Sequence, residues 1–436
     1  MSSAHDREPK SWVESANEAG ADFPLANLPY GVFRRRGGDA PARVGVAIGD
    51  SILDVTAAGS AGLIPHSAAA AACEGSTLNP LMLLTSAARR ELRATLTELL
   101  QEGSRMASKS RARDLLVPIK DADLHLPVAI GDYTDFYASI HHATNVGRML
   151  RPDNPLLPNY KYIPIGYHGR ASSIVVSGTP VRRPLGQMRA PDAPGPTFGP
   201  SRMLDYESEL GLFVGRGNTL GSVLPLADAE DHVFGYCLVN DWSARDIQTW
   251  EYQPLGPFLA KNFATTISPW VVTSEAIEPY RIPAFARREG DPPPLDYLMT
   301  EQNERSGGID ATLEVHLSSA SMRQKAIAPV LLSRAPFSHM YWTMAQLVAH
   351  HASNGCNLRT GDLIASGTVS GPTLDSLGCL LELTRRGANP VTLPTGETRT
   401  FLEDGDEVTM RGRLGSGGRP TIGFGECRGV ILPAIA

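Results

Sequence analysis

Apolar runs in this chain are short, and most are closed off by glycine, proline or aspartate. With 42 glycines and 34 prolines, turns are frequent, which favours short strands over long helices. PYGVF, RVGVAIGD and SILDV read as strands joined by tight turns, together a small β-barrel near the front. From about residue 121 the strand texture returns in SSIVVSG, LGLFVG, VFGYCLVND, ATLEVHLSS and CLLELT, whose apolar residues alternate or run continuously. Between these regions the pattern turns helical from Asn79 to Gly103, with Asn79 as cap, Pro80 at the first helical position and Gly103 as the stop. Leu92, Leu96, Leu99 and Leu100 share the packing face of that helix, with Arg89, Arg93 and Glu98 elsewhere. HMYWTMAQLVAHHASN is the main later helix, and Pro292–Pro294 mark a surface loop. The expectation is a mainly β chain of the α+β class, with a loose tail over 1–22, a small β domain with a helical linker (SRMASKSRARD at its end) over 23–120, and a larger β-rich domain over 121–436.

Composition narrows the function. The formal charge is −6, so there is no basic surplus for nucleic acid. No stretch approaches ~18 uncharged apolar residues, so no membrane span is expected. The N-terminus, MSSAHDREPKSW, is polar and unlike a signal peptide. Cys73, Cys237, Cys356, Cys379 and Cys427 are scattered without a CxxC, which fits a reducing compartment, and the cytoplasm is expected.

Three constellations could carry chemistry. Asp135 lies in GDYTDFY, Glu207 and Glu209 form E-x-E in LDYESELGLF, and Asp241 follows the apolar run VFGYCLVN. Residues two apart on a strand face the same way, so Glu207 and Glu209 would project together, a costly arrangement if buried unless a cation joins them. All-oxygen donors suit Mg²⁺ or Ca²⁺ better than Zn²⁺; the plainer alternative is a solvated strand face. In ASIHHATNVG, His141 or His142 could act as a general base, and Glu382, set among apolar neighbours, could orient it. His350 and His351 compete for that role, and any one of these histidines could instead be structural. Finally, Asp241, Arg245 and Gln248 would share a helical face, with Tyr252 and Lys261 beyond, as an oxyanion-stabilising group or else a salt-bridged helix start in which Asp241 or Asp246 pairs Arg245.

The strings DFPLANLPYGVF, GVAIGDSILD, GDYTDFYASIHHATNVG, LPNYKYIPIGYHGRASS, GQMRAP, NDWSARDIQTWEYQPLGPFLAKNF, HMYWTMAQL, NGCNLRTGDLIASGT and FLEDGDEVTM resemble the fumarylacetoacetate hydrolase family from about residue 23 to the C-terminus. The resemblance implies an SH3-like N-terminal barrel, a rolled, sandwich-like C-terminal domain holding the active site, and a homodimer. It implies Asp135, Glu207, Glu209 and Asp241 as ligands of Ca²⁺ or Mg²⁺, with Lys261 and Thr265 at positions tied to the Mg²⁺ environment. It makes His142 the general base, Glu382 its orienting carboxylate, and Arg245, Gln248 and Lys261 the stabilisers of the oxyanion and leaving group. Tyr137, Arg151, Tyr167, Tyr252 and Thr368 fall on substrate contacts.

The implied reaction is metal-dependent hydrolysis of a C–C bond in a small diketo acid, fumarylacetoacetate, to fumarate and acetoacetate, the last step of tyrosine and phenylalanine breakdown. The alternatives are an acylpyruvate hydrolase or decarboxylase of the same superfamily, or a non-catalytic metal-stabilised binding protein. Two departures stand out. His141 replaces a glutamine of the family pattern and could perturb the base, and the stretch from Ala284 to Ala328 is longer than expected and reads as a surface elaboration.

Overall fold

The computed structural model describes residues 9–103, 113–416 and 419–435. The fold is mainly β, with short helices set between and over the sheets. At the front, Tyr30–Arg35, Arg43–Ile48, Ser51–Asp54, Leu116–Pro118 and Ala122–His125 form a five-stranded antiparallel sheet. Ile48 pairs with Ser51 across the Gly49-Asp50 turn, where Gly49 takes φ 57°, a left-handed conformation suited to glycine.

The helix expected over 79–103 is two helices, Asn79–Met82 and Ser86–Leu100. Thr85 interrupts it because its hydroxyl accepts from Ala88 N at 3.3 Å and restarts the helix as an N-cap. Leu92, Leu96, Leu99 and Leu100 are buried as expected, and Arg89 is buried with them. Its guanidinium lies over the Phe234 ring and pairs with Glu275 at 3.2 Å, which joins this helix to the larger domain.

Part of the tail expected over 1–22 is packed against the body of the protein. Trp12, Val13 and Ala16 are buried, Trp12 Nε1 donates to Leu99 O at 2.9 Å, and Ser11 Oγ donates to Leu100 O at 2.8 Å. A helix leaves its last carbonyls without intrahelical partners, and these donors satisfy two of them. Residues 1–8, and residues 104–112 of the SRMASKSRARD linker, lie outside the described residues.

In the larger domain an eight-stranded mixed sheet centres on Ser208–Val214 and Val233–Asp241, both buried along their whole length. Burial on both faces is why VFGYCLVND reads as one apolar run instead of alternating. Leu363–Ala365, Tyr133–Phe136 and Gly166–His168 continue the sheet on one side, Thr265–Ile267 and Ile174–Val176 on the other, and Val272–Thr273 pairs with Val233–Asp241 as the eighth strand. A second, five-stranded sheet runs Val330–Pro336, Ala311–Ser318, Glu407–Leu414, Ile422–Leu432 and Val181–Arg182. The sheets meet closely, since a Cβ on Gly412 would come within 2.7 Å of Leu238 Cδ2. Thr343 and Gln346 form a capping box that starts the Met344–Ala352 helix.

Two expectations fail for tertiary reasons. CLLELT is not a strand: Leu380–Leu383 is one helical turn, because Asp205 accepts from Leu380 N at 2.8 Å and Leu381 N at 2.9 Å and so caps the turn from a distant part of the chain. Nor is 284–328 only a surface elaboration. Ala311–Ser318 lies between two partners in the second sheet, and Leu298 and Ile309 are in the core. Among the described residues no helix is long and apolar enough to cross a membrane.

The Arg89–Glu275 pair is buried on both sides, at 7% exposure each. Arg89→Ala should therefore destabilise the protein by roughly 3 kcal/mol, because it strands a buried carboxylate. Glu275→Gln in that background should restore part of the loss in a denaturant titration.

Candidate active site

The site forms where strand ends of the eight-stranded sheet meet the Ile140–Leu150 helix. Asp135 stands on Tyr133–Phe136, paired with Ala365 on one side and Tyr167 on the other. Glu209 lies opposite Val239, Glu207 immediately precedes its strand, and Asp241 ends its strand opposite Thr265. Oxygens of Asp135, Glu207, Glu209 and Asp241 lie within 4.8 Å of one another, and all four residues are buried. The E-x-E pair thus converges as expected, although Asp241 sits on a strand and not on the helix of Arg245 and Gln248, which begins at Arg245.

Two cations serve this cluster. Lys261 Nζ donates to Asp241 Oδ2 at 2.7 Å and also bonds Glu207. Arg245 Nη1 donates to Glu207 Oε1 at 2.7 Å, and its Nε donates to Asp205 Oδ2 at 2.9 Å. Arg245 therefore pairs with neither Asp241 nor Asp246; Asp246 accepts from Ser201 and Arg202. Thr265 Oγ1 donates to Asp241 Oδ1 at 3.1 Å and Tyr167 OH to Asp241 Oδ2 at 2.7 Å. A protonated lysine has no lone pair for a cation, so Lys261 acts here on the carboxylates.

Asp135 Oδ1 and both Glu209 carboxylate oxygens are buried without a hydrogen-bond partner. Burial first, and the neighbouring carboxylates second, hold Asp135 and Glu209 well above the usual carboxylate range. Burial also acts to raise Glu207, but Lys261 and Arg245 outweigh it and bring that carboxyl below its ordinary value. Unpartnered oxygens in an all-oxygen, net-negative cluster fit a hard divalent cation.

Beside the cluster, Ser139 caps the Ile140–Leu150 helix, and the next turn presents His142. His142 Nδ1 lies 2.6 Å from Glu382 Oε2, and its Nε2 lies 3.8 Å from Glu207 Oε1. Glu382 also accepts from Asn145 Nδ2 at 2.8 Å, Ser370 Oγ at 2.8 Å and Cys379 Sγ at 3.2 Å. Burial alone would raise Glu382, but the His142 charge and the hydrogen bonds from His142, Asn145 and Ser370 lower it overall. An ionised Glu382 accepts the Nδ1 proton and leaves the Nε2 lone pair open.

A cavity of about 390 Å³ opens over both groups. Its wall includes Asp135, Tyr137, His142, Arg151, Tyr167, Glu207, Arg245, Gln248, Tyr252, Lys261 and Thr368, all singled out in the sequence. Glu209, Asp241, Thr265 and Glu382 stand behind that wall. Arg245 donates to Gln248 Oε1 at 3.3 Å, and among the described residues no protein group bonds the Gln248 amide nitrogen. Tyr137 meets the His142 ring edge-on at 5.3 Å. Gly367 takes φ 75° beside Thr368, where a Cβ would sit 2.1 Å from Phe136 O.

The competing histidines are accounted for. His351 Nε2 lies 2.8 Å from Thr134 Oγ1, and His350 Nδ1 lies 2.9 Å from Tyr297 OH. His141 stacks edge-on with His339 at 5.7 Å, and burial, then His339, lowers its pKa. None of the three is on the cavity wall. Asp205, Asn145, Ser370, Cys379 and Arg386 were not singled out. Asp205 had a signal, since LDYESE continues the every-second-residue spacing of Glu207 and Glu209 backwards.

The sequence matches the family described as fumarylacetoacetate (FAA) hydrolase C-terminal over residues 132–431, and fumarylacetoacetase N-terminal over residues 26–127. This chain belongs to the fumarylacetoacetate hydrolase family. It is 50% identical over 442 residues to the fumarylacetoacetase of Bos taurus, covering 98% of this chain and 99% of the bovine one. It is 50% identical over 423 residues to that of Caenorhabditis elegans, covering 95% and 97%. The structure of a fumarylacetoacetate hydrolase from Exiguobacterium antarcticum aligns over 93% of this chain and 99% of that one, with a TM-score of 0.50 at 17% identity, a likeness of fold.

Because the folded state holds protons on Asp135 and Glu209 that the unfolded chain releases from about pH 4 upward, their contribution to metal-free stability falls as pH rises. The gap in Tm between protein with saturating Mg²⁺ or Ca²⁺ and chelated protein should widen from pH 5 to 8. Glu209→Gln should raise the Tm of the chelated protein and shrink that gap.

Proposed function

We propose that this chain hydrolyses fumarylacetoacetate to fumarate and acetoacetate, the closing step of tyrosine and phenylalanine breakdown. The observation that carries the reading is the His142–Glu382 pair, its open Nε2 facing a cavity floored by the carboxylate cluster. Near-full-length identity to fumarylacetoacetases supports the same substrate.

His142 Nε2 takes a proton from water, and Glu382 stabilises the imidazolium that forms. The resulting hydroxide attacks the carbonyl carbon of the fumaroyl group. The Gln248 amide nitrogen, with the positive charges of Arg245 and Lys261 behind it, stabilises the oxyanion. The C–C bond breaks to give fumarate and the enolate of acetoacetate, and the proton held at Nε2 is returned to the enolate carbon. Arg151, Tyr137, Tyr252 and Thr368 position the substrate, while Tyr167, also on the wall, has its hydroxyl on Asp241.

Asp135, Glu207, Glu209 and Asp241 are the residues that would hold Mg²⁺ or Ca²⁺, with Lys261 and Thr265 fixing their orientation. When bound, such an ion supplies Lewis-acid polarisation of the dicarbonyl oxygens.

The protein works as a homodimer in the cytoplasm in this reading. Large apolar side chains beside the cavity mouth, Leu255 at 96% and Phe258 at 66% exposure, support a covering partner copy. Free thiols at all five cysteines suit a reducing compartment.

His142→Ala should lower kcat by about 10²–10⁴-fold while KM moves little. The assay is loss of the ultraviolet absorbance of fumarylacetoacetate, with fumarate and acetoacetate quantified. Near-normal kcat would remove His142 from the base role, and turnover of an acylpyruvate in preference to fumarylacetoacetate would move the chain to that sister activity.

A further inference from the structure

Resting on the dicarboxylate substrate proposed above, we propose that Arg386 is a second carboxylate-binding group of this site and decides for substrates charged at both ends. Four cationic side chains stand on the cavity wall: Arg151, Arg245, Lys261 and Arg386. Arg245 and Lys261 are already ion-paired with Asp205, Glu207 and Asp241. Arg151 keeps a buried Nε without a partner, and among the described residues nothing pairs with the side chain of Arg386. Two guanidiniums are thus uncommitted, and a diketo acid ionised at both ends brings two carboxylates. Arginine suits this task because its planar fork meets a carboxylate through two parallel hydrogen bonds.

The backbone points the same way. Arg385, Arg386 and Gly387 take φ 47°, 59° and 91° in succession. Only glycine enters that region without strain, yet two of the three positions are arginines. Such strain persists only when the surroundings enforce it. They do so here: Arg386 N donates to Leu381 O at 2.8 Å, Arg385 N to Glu382 O at 3.1 Å, and Gly387 N to Thr384 O at 3.1 Å. Arg386 is therefore tied to the helical turn that presents Glu382 to His142, and Leu381 of that turn is also on the cavity wall. An exposed guanidinium at the edge of the cavity can meet the anion before it is desolvated, whereas Arg151 is partly buried.

The tests are steady-state kinetics on fumarylacetoacetate and competitive binding of octanedioate, a diacid of the same carbon length, against its monomethyl ester. Arg386→Gln should raise KM about tenfold with kcat within about twofold, the loss of one charge-assisted contact. It should weaken octanedioate by a similar factor and leave the monomethyl ester unchanged, while Arg386→Lys should recover part of the loss. Arg386→Gly should raise KM as well and yet raise Tm, because it relieves the left-handed strain. An unchanged KM, or equal weakening of diacid and ester, overturns the assignment. If the wild-type protein does not hydrolyse fumarylacetoacetate, the proposed reaction fails; calorimetric binding of octanedioate and its ester to wild type and Arg386→Gln still decides the role of Arg386.

Discussion

Asp135, Glu207, Glu209 and Asp241 crowd four carboxyl groups into the inside of a sheet, where an uncompensated carboxylate is costly. Much of the architecture answers that cost. Lys261 and Arg245 are buried against the cluster, Thr265 and Tyr167 give hydroxyls to Asp241, and Asp205 supplies Arg245 with a further partner. These donors leave Glu209 and one Asp135 oxygen without partners, a deficit that a divalent cation would remove.

Charge also links the two halves of the site. Asp205 accepts from Arg245 with one oxygen and, with both, from the amides that begin the Glu382 turn. Arg245 reaches Glu207, Glu207 faces His142 Nε2, and His142 Nδ1 meets Glu382. The carboxylate cluster and the His142–Glu382 pair are therefore positioned by one continuous set of bonds. Displacing Asp205 would disturb both, although it is not on the cavity wall.

Legibility followed the range of the interactions. The front strands, the two central strands and the Met344–Ala352 helix were readable because each is set by its own pattern of apolar residues, turns and caps. Most cavity residues were also readable, since they sit in distinctive strings such as ASIHHATNVG and NDWSARDIQTWEY. Failures came where a distant group overrode the local pattern. Asp205 turns CLLELT into a helical turn, Glu275 draws Arg89 inward, and the last carbonyls of the Ser86–Leu100 helix bind Ser11 and Trp12. Asn145 and Ser370 escaped notice because nothing local marks an amide or hydroxyl as the partner of a carboxylate far along the chain.

The sequence by itself determined the class of fold, the acidic residues available for a hard cation and a histidine able to act near neutral pH. Those properties belong to residue types and short-range spacing, which local sterics and side-chain chemistry decide. Only the tertiary structure decided which histidine faces Glu382, which cations on the wall are ion-paired and which have no carboxylate partner among the described residues. Those outcomes depend on burial and on contacts between segments hundreds of residues apart, such as the 240-residue separation between His142 and Glu382.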